Sequence, residues 1–426
     1  MNPVYWDSSI IASAANPHYR LEPSATLRKP VTNPDLALLQ PYPFEKIRHL
    51  LADLNPAEKS RIALSVGEPK HAAPTIAHDA LVAALPDLEN YPSTRGSDNL
   101  RQAIASWLTQ RFELTKAPDD LAQHHLLPVS GTREALFAIA QCLLDRTAKQ
   151  RDVLMPNPFY QIYEGATLLA GCRPSFYAID DYADENLAAI PDEAFAASQL
   201  FYLCNPGNPS GAVASKEALI ALIERAQRFG VILVSDECYS EIYREDKGAP
   251  VGLLQAAQAA GLNQYEGCLV FHSLSKRSNL PGLRSGFVAG DSRLIDAFTT
   301  YRTYHGCTLP PPTQAASAAA WSDETHVAEN RAAYDAKYKA VLPILQPVMN
   351  VSTPPAGFYL WPTLNVDDLG VTQRLHTEQN VAVVPGSYLA RELNGFNPGS
   401  NRIRMALVAP LDECIEAATR IASSLS

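Results

Sequence analysis

The chain lacks any run of basic residues dense enough to hold a nucleic-acid backbone. Its 35 Lys and Arg stand against 45 Asp and Glu, a formal net charge of −10. Nucleic-acid partners are met by clustered positive charge, so this balance argues against one. No apolar stretch reaches the roughly 18 residues that a membrane-crossing helix needs. The first residues show neither the basic start nor the long apolar core of a signal peptide. The seven cysteines, Cys142, Cys172, Cys204, Cys238, Cys268, Cys307 and Cys414, form no C-x-x-C pair. An odd, scattered set reads as buried free thiols in a reducing cytosol, so a cytoplasmic protein is expected. The ten histidines fall into no H-E-x-x-H or other ligand spacing, and no metal is expected.

What is present is a chain of 426 residues, 46% of them hydrophobic. That is enough for one large enzyme subunit or two to three domains. Residues 1–32 hold no sustained period and read as an N-terminal extension or arm, open to being disordered. Residues 43–53 place apolar side chains at helical spacing behind Pro43. The centre then alternates. Short apolar runs at 126–129, 152–155, 199–203, 231–234, 268–271 and 286–290 read as strands buried on both faces. Helical stretches such as 216–229 lie between most of them. This predicts an α/β fold with a mostly parallel sheet. A long helical pattern near 312–346, a strand at 357–361 and a helix at 411–425 predict a smaller α+β domain. The expected division is a large domain over 67–305 and a small one from 33–66 and 306–426.

Residues that carry chemistry follow the strand ends, where such sheets place their sites. Lys276 follows the fifth run in Ser273-Leu274-Ser275-Lys276, and Arg284 comes eight residues later. An amine able to form an imine stands beside hydroxyls and a guanidinium able to hold a phosphate. That suits a cofactor with an aldehyde at one end and a phosphate at the other. Gly131-Thr132-Arg133 opens a helix after the first run. Asn205 to Gly211 follow the third, and Ser235-Asp236-Glu237-Cys238-Tyr239 close the fourth. Each has a blander reading: Lys276 as a solvated surface lysine, Asp236 as a helix N-cap, Asn208 as a turn residue before proline, Gly131 as an ordinary turn, Tyr160 as core packing.

In order and spacing these residues resemble the fold-type I, class I/II aminotransferases over roughly residues 33–426. The resemblance implies the aspartate aminotransferase-like fold and pyridoxal 5'-phosphate as cofactor. It implies that Lys276 forms the imine and moves the proton, Asp236 partners the pyridine nitrogen, and Tyr239 and Asn208 bind the phenolic oxygen. Burial or nearby positive charge would lower the Lys276 pKa and free its amine. Arg284, Ser273, Ser275 and the backbone amides of Gly131, Thr132 and Arg133 match the phosphate cradle. Tyr160 matches the ring stacked on the pyridine. Tyr91 matches a tyrosine that reaches the partner subunit's phosphate, which implies a homodimer with shared sites. Arg404, chosen over its neighbour Arg402, matches the clamp on the substrate α-carboxylate, with Asn208 beside it. Gly67 matches a segment that closes over substrate.

Asn33 to Lys46, Gly67-Glu68-Pro69-Lys70-His71 and Ser275 to Gly286 are most similar to bacterial succinyldiaminopimelate aminotransferases. That resemblance implies exchange of an amino group between glutamate/2-oxoglutarate and N-succinyl-L,L-2,6-diaminopimelate in lysine biosynthesis. Both substrates carry a second carboxylate, and Lys70, Arg277 and Arg133 are the candidate cations for it. Other aminotransferase substrates (aspartate, alanine or aromatic) and a lyase or synthase on the same fold remain rivals. A binding module or regulator is disfavoured, because residues 1–32 contain no basic DNA-reading domain and Lys276 is retained.

Overall fold

The computed structural model describes residues 32–179 and 183–426. The expected arm at 1–32 therefore lies outside the described residues except for its last position. Residues 39–426 form one compact unit. The helix expected at 43–53 spans Pro43–Leu50, with the proline in its first turn.

A two-stranded sheet pairs β1 (Ile62–Ala63) with β10 (Val381–Ala382). The main sheet contains seven strands: β2 (Leu126–Val129), β3 (Asp152–Asn157), β4 (Arg173–Ala178), β5 (Ser198–Cys204), β6 (Ile232–Asp236), β7 (Cys268–Ser273) and β8 (Gly286–Gly290). Their order is β2-β8-β7-β6-β5-β3-β4. β8 runs antiparallel to both β2 and β7, and every other neighbouring pair is parallel. All six strands read from the sequence are present. The seventh, β4, escapes that reading because it is an edge strand. Its Arg-Pro-Ser-Phe-Tyr-Ala run is mostly only partly buried, and an edge tolerates Pro174 where a central strand would lose a ladder bond.

Alternation along the strands sends successive side chains to opposite faces. On β5, Phe201 and Leu203 enter one core while Leu200 and Tyr202 enter the other. On β7, Val270 joins the first core and Leu269 and Phe271 the second. The helix Lys216–Phe229 covers the first face through Leu219, Leu222, Ile223 and Ala226, spaced for one helical stripe. Ser215 caps it by accepting from the Ala218 N–H, and Gly230 ends it at φ 69°.

The expected long helix near 312–346 is two helices, Pro311–Trp321 and Thr325–Leu345. Asp323 breaks the run, since its Oδ2 accepts from the His326 N–H and caps the second helix. β9 (Tyr359–Leu360), β11 (Val384–Pro385) and β12 (Ile403–Ala406) form a third sheet with β12 in the centre. Its core includes Val341 and Leu345, Val371 and Leu375, and Ala417 and Ile421 from three helices.

Register fixes where the chemistry falls. Cys204 pairs with Asp236, and Asp236 with Phe271. Ser273 and Val129 both pair with Gly286. The ends of β2, β5, β6 and β7 and the start of β8 thus lie along one sheet edge. Loss of the cap in Ser215→Ala should lower stability by about 1 kcal/mol, read as a lower denaturant midpoint with an unchanged far-ultraviolet spectrum.

Candidate active site

At that edge lies a cavity of about 530 Å³ lined by Gly67, Thr132, Arg133, Tyr160, Asn208, Asp236, Tyr239, Ser273, Ser275, Lys276, Arg284 and Arg404, with other residues named below. Twelve of the residues singled out in the sequence therefore converge, although they span positions 67 to 404.

Lys276 sits in the single turn Leu274–Arg277 immediately after β7. Ser273 caps that turn by accepting from the Ser275 N–H, and its hydroxyl donates to Ser275 Oγ at 2.9 Å. The Lys276 ammonium donates to the Gly67 carbonyl, and Nζ lies 5.4 Å from the centre of the Phe358 ring. Burial, assisted by the Arg404 guanidinium, pulls the lysine down to about 8.

Asp236 ends β6 and is buried. Burial pushes its carboxyl up from the ordinary range. Three donors oppose this: the Cys238 thiol, the Tyr163 hydroxyl to Oδ2 at 2.8 Å and the Cys238 N–H to Oδ1 at 3.3 Å. Tyr163 is itself held flat against Tyr202, ring centres 4.6 Å apart. Tyr239 is buried with its hydroxyl 3.0 Å from that of Tyr359. Arg404, on β12, donates to Asn208 Oδ1 at 3.1 Å and to the Ser65 carbonyl at 3.0 Å. Its buried Nε has no partner among the described residues.

The helix Thr132–Leu143 points its first turn at the cavity, with Gly131 before it at φ 86°. A Cβ on Gly131 would come within 3.0 Å of the Arg284 guanidinium carbon, so only glycine lets the arginine lie over the helix start. Arg284 itself holds φ 55° and donates to the Pro281 carbonyl at 2.8 Å. Arg133 Nε–H donates to the Tyr160 hydroxyl at 2.7 Å.

Several readings are corrected or left apart. Arg277 does not face the cavity. It is buried between the Trp107 and Trp321 rings, donates to the Ala320 carbonyl at 2.7 Å and pairs with Glu324. A guanidinium so enclosed cannot also hold a substrate carboxylate. Lys70 is exposed and outside the cavity. Arg402 turns to the Trp361 carbonyl, leaving Arg404 as the arginine of the cavity wall. Tyr91 is fully exposed and also outside it. Glu134, His305 and Cys307 bring ligand-type atoms within 4.8 Å of one another. The Glu134 carboxylate is, however, already held by Arg302 at 2.8 and 2.9 Å.

Sequence reasoning missed Tyr163, Tyr359, Tyr42, Phe44, Gln161, Cys204, Cys238 and Leu389. Cys238 lies in the stretch that closes the fourth apolar run, and Tyr42 and Phe44 lie between Asn33 and Lys46. Tyr359 and Leu389 had no local signal, since only the third sheet and its loops bring them in.

A half-buried amine, a buried carboxylate and three arginines at a strand-end edge suit an enzyme that handles amino acids through an aldehyde cofactor. The sequence matches Aminotransferase class I and II over residues 59–421, and the chain belongs to that family. It is 32% identical, over 84% of this chain and 92% of the relative, to the 4-dedimethylamino-4-oxo-anhydrotetracycline transaminase of Streptomyces rimosus. It is 28% identical, over 91% and 96%, to the LL-diaminopimelate aminotransferase of Desulforudis audaxviator. Among solved structures, an aminotransferase from Neisseria meningitidis superposes with a TM-score of 0.88 at 43% identity, covering 93% of this chain and all of that one. A probable N-succinyldiaminopimelate aminotransferase from Thermus thermophilus gives 0.76 at 26% identity, covering 90% and 100%.

The family is pyridoxal-phosphate-dependent, and the residues present fit that group. The lysine amine is poised near neutrality, the arginine over a bare glycine meets a helix start suited to a phosphate, and the buried carboxylate calls for a cationic partner. When bound, pyridoxal phosphate supplies an aldehyde that exchanges amines and a cationic ring that draws electrons from substrate Cα.

Only the neutral amine attacks an aldehyde. Uptake of pyridoxal phosphate by the cofactor-free protein should therefore speed up as pH rises through about 8 and level off above it. Stopped-flow absorbance reads this, and a rate that falls with rising pH would contradict the lysine assignment. Borohydride should fix the cofactor on Lys276 and leave none on the Lys276→Ala protein.

Proposed function

We propose that the protein moves an amino group between glutamate/2-oxoglutarate and N-succinyl-L,L-2,6-diaminopimelate, in the succinylase branch of lysine biosynthesis. It works in the cytoplasm as a homodimer. In this reading Lys276 moves a proton to and from substrate Cα, and Asp236 keeps the ring nitrogen protonated. Tyr239 and Asn208 donate to the phenolic oxygen, and Tyr160 covers the ring. Ser273, Ser275, Arg284 and the amides of Thr132 and Arg133 hold the phosphate, with Gly131 leaving the space in which Arg284 lies. Arg404 grips the α-carboxylate, and the Gly67 segment closes the entrance. The domains assigned to these tasks are residues 67–305 for the cofactor, and residues 33–66 with 306–426 for closure.

The observation that carries the reading is a single cavity of about 530 Å³ holding Lys276 and Arg404 together with Tyr42, Phe44 and Leu389. That volume must take the cofactor and the substrate together, and the three side chains give it an apolar wall suited to a long substrate chain. The substrate choice is supported further by the likeness of residues 33–46, 67–71 and 275–286 to succinyldiaminopimelate aminotransferases. The Thermus protein of that description supports it too. The Desulforudis relative favours a second reading, in which diaminopimelate is taken without its succinyl group. The exposed Glu68 carboxylate in the cavity wall suits the extra ammonium of that substrate.

The deciding experiment follows the absorbance of the loaded enzyme on adding glutamate or a diaminopimelate derivative as amino donor, then asks which keto acid restores it. Glutamate and the succinylated compound should each drive the change, with kcat/KM at least about tenfold above that for free LL-diaminopimelate. The reverse order favours the second reading, and no change with any amino donor removes both.

Tyr91 gives a separate test of the dimer. If it serves the partner's site, Lys276→Ala and Tyr91→Ala proteins, each weak alone, should regain activity when subunits are mixed. The mixed dimer then contains one intact site. Strictly additive activities would mean that Tyr91 does not serve the partner's site.

A further inference from the structure

Resting on the reading of a substrate with a second carboxylate, we infer that the Arg133 side chain is the subsite that binds it. Four cationic side chains line the cavity: Lys276, Arg284, Arg404 and Arg133. The first three are accounted for. Lys276 is the amine at the strand end. Arg284 lies over the helix start at Gly131. Arg404 is tied to Asn208 and Ser65. Arg133 is the cation left over.

Its environment is that of a waiting anion site. The Nε–H is used on the Tyr160 hydroxyl at 2.7 Å. The guanidinium carbon stands 5.9 Å from the Tyr160 ring centre and 6.0 Å from that of Tyr42. Two phenol rings and one hydrogen bond therefore limit how the fork can turn. Among the described residues no carboxylate pairs with it, whereas Arg277, Arg302 and Arg391 are each paired with a glutamate. Both terminal nitrogens stay available for two parallel hydrogen bonds to one carboxylate, the arrangement that a guanidinium makes best. Its anchor is Tyr160, the ring read as covering the cofactor, so a carboxylate bound there belongs to a substrate already seated. Glu68, the exposed acid of the same cavity, repels a carboxylate and steers it toward Arg133.

The test uses the loaded enzyme and two amino donors of the same shape, glutamate and glutamine, which differ only in the charge of the distal group. The wild type should prefer glutamate. In Arg133→Met the glutamate-to-glutamine ratio of kcat/KM should fall by about tenfold to a hundredfold, mainly through KM for glutamate. Arg133→Lys should fall between, since it keeps the charge and loses the fork. Binding of glutarate, a dicarboxylate without an amine, should weaken in parallel by calorimetry, a readout that does not depend on turnover. An equal loss with both donors would make Arg133 only a support for Tyr160 and overturn the assignment. So would an unchanged ratio in a wild type that prefers glutamate, and that result would leave the proposed function standing. A wild type indifferent to the distal charge would remove the dicarboxylate reading and the subsite together.

Discussion

The site depends on two groups of opposite charge kept out of water in one cavity. Burial raises the Asp236 carboxyl and lowers the Lys276 amine to about 8, so each is drawn toward its neutral form. That is the expected direction when a charge loses solvent without a full partner. The chain offsets part of the cost for Asp236 with the Tyr163 hydroxyl and the Cys238 amide. It leaves the rest for a ligand with a cationic ring nitrogen. For Lys276 the same desolvation is useful, because a neutral amine is the nucleophile. One constraint thus favours both holding the cofactor ring and linking to its aldehyde.

Placing those groups is the task of the sheet. Pairing of Cys204 with Asp236 and of Ser273 with Gly286 sets the strand ends level. The short turn after β7 then raises Lys276 over that edge. β8 returns antiparallel, so Arg284, just before it, comes back to the same edge that Gly131 reaches after β2. A slip of one residue in any of these pairings would turn the side chains to the opposite face. The cavity could then not survive as a set of converging groups.

Much of this was legible in the chain because the main sheet consists of short, uniformly apolar runs with their polar residues just beyond the ends. Such strands declare themselves, and so do the site residues that follow them. β4 was not legible, since a partly exposed edge strand has no uniform pattern. The break at Asp323 was hidden because a capping side chain interrupts a run whose apolar spacing continues on both sides. Tyr359 and Leu389 were invisible for another reason. Their contribution comes from how the third sheet and its loops pack against the strand ends, which no local spacing encodes. Tyr163 could have been found, because a phenol three residues after Tyr160 lies one helical turn along, where it reaches Asp236.

Arg277 shows why a charged neighbour of a reactive lysine is not thereby a substrate ligand. In the sequence it stands beside Lys276 and reads as a cation at the mouth. In the fold the single turn Leu274–Arg277 points the two side chains apart. Arg277 enters the core against Trp107 and Trp321, its terminal nitrogens held by the Ala320 and Asp323 carbonyls and by Glu324, while its Nε has no partner among the described residues. It thereby fastens the turn that bears Lys276 to the junction between the helices Pro311–Trp321 and Thr325–Leu345. A buried guanidinium is costly unless it is paired, and the bonds made by the two terminal nitrogens tie the junction to the lysine turn. The same Ser-Asp-Glu stretch that ends one helix and caps the next also supplies two of these acceptors. The interruption of the long helical pattern and the position of the Lys276 amine are therefore parts of one arrangement.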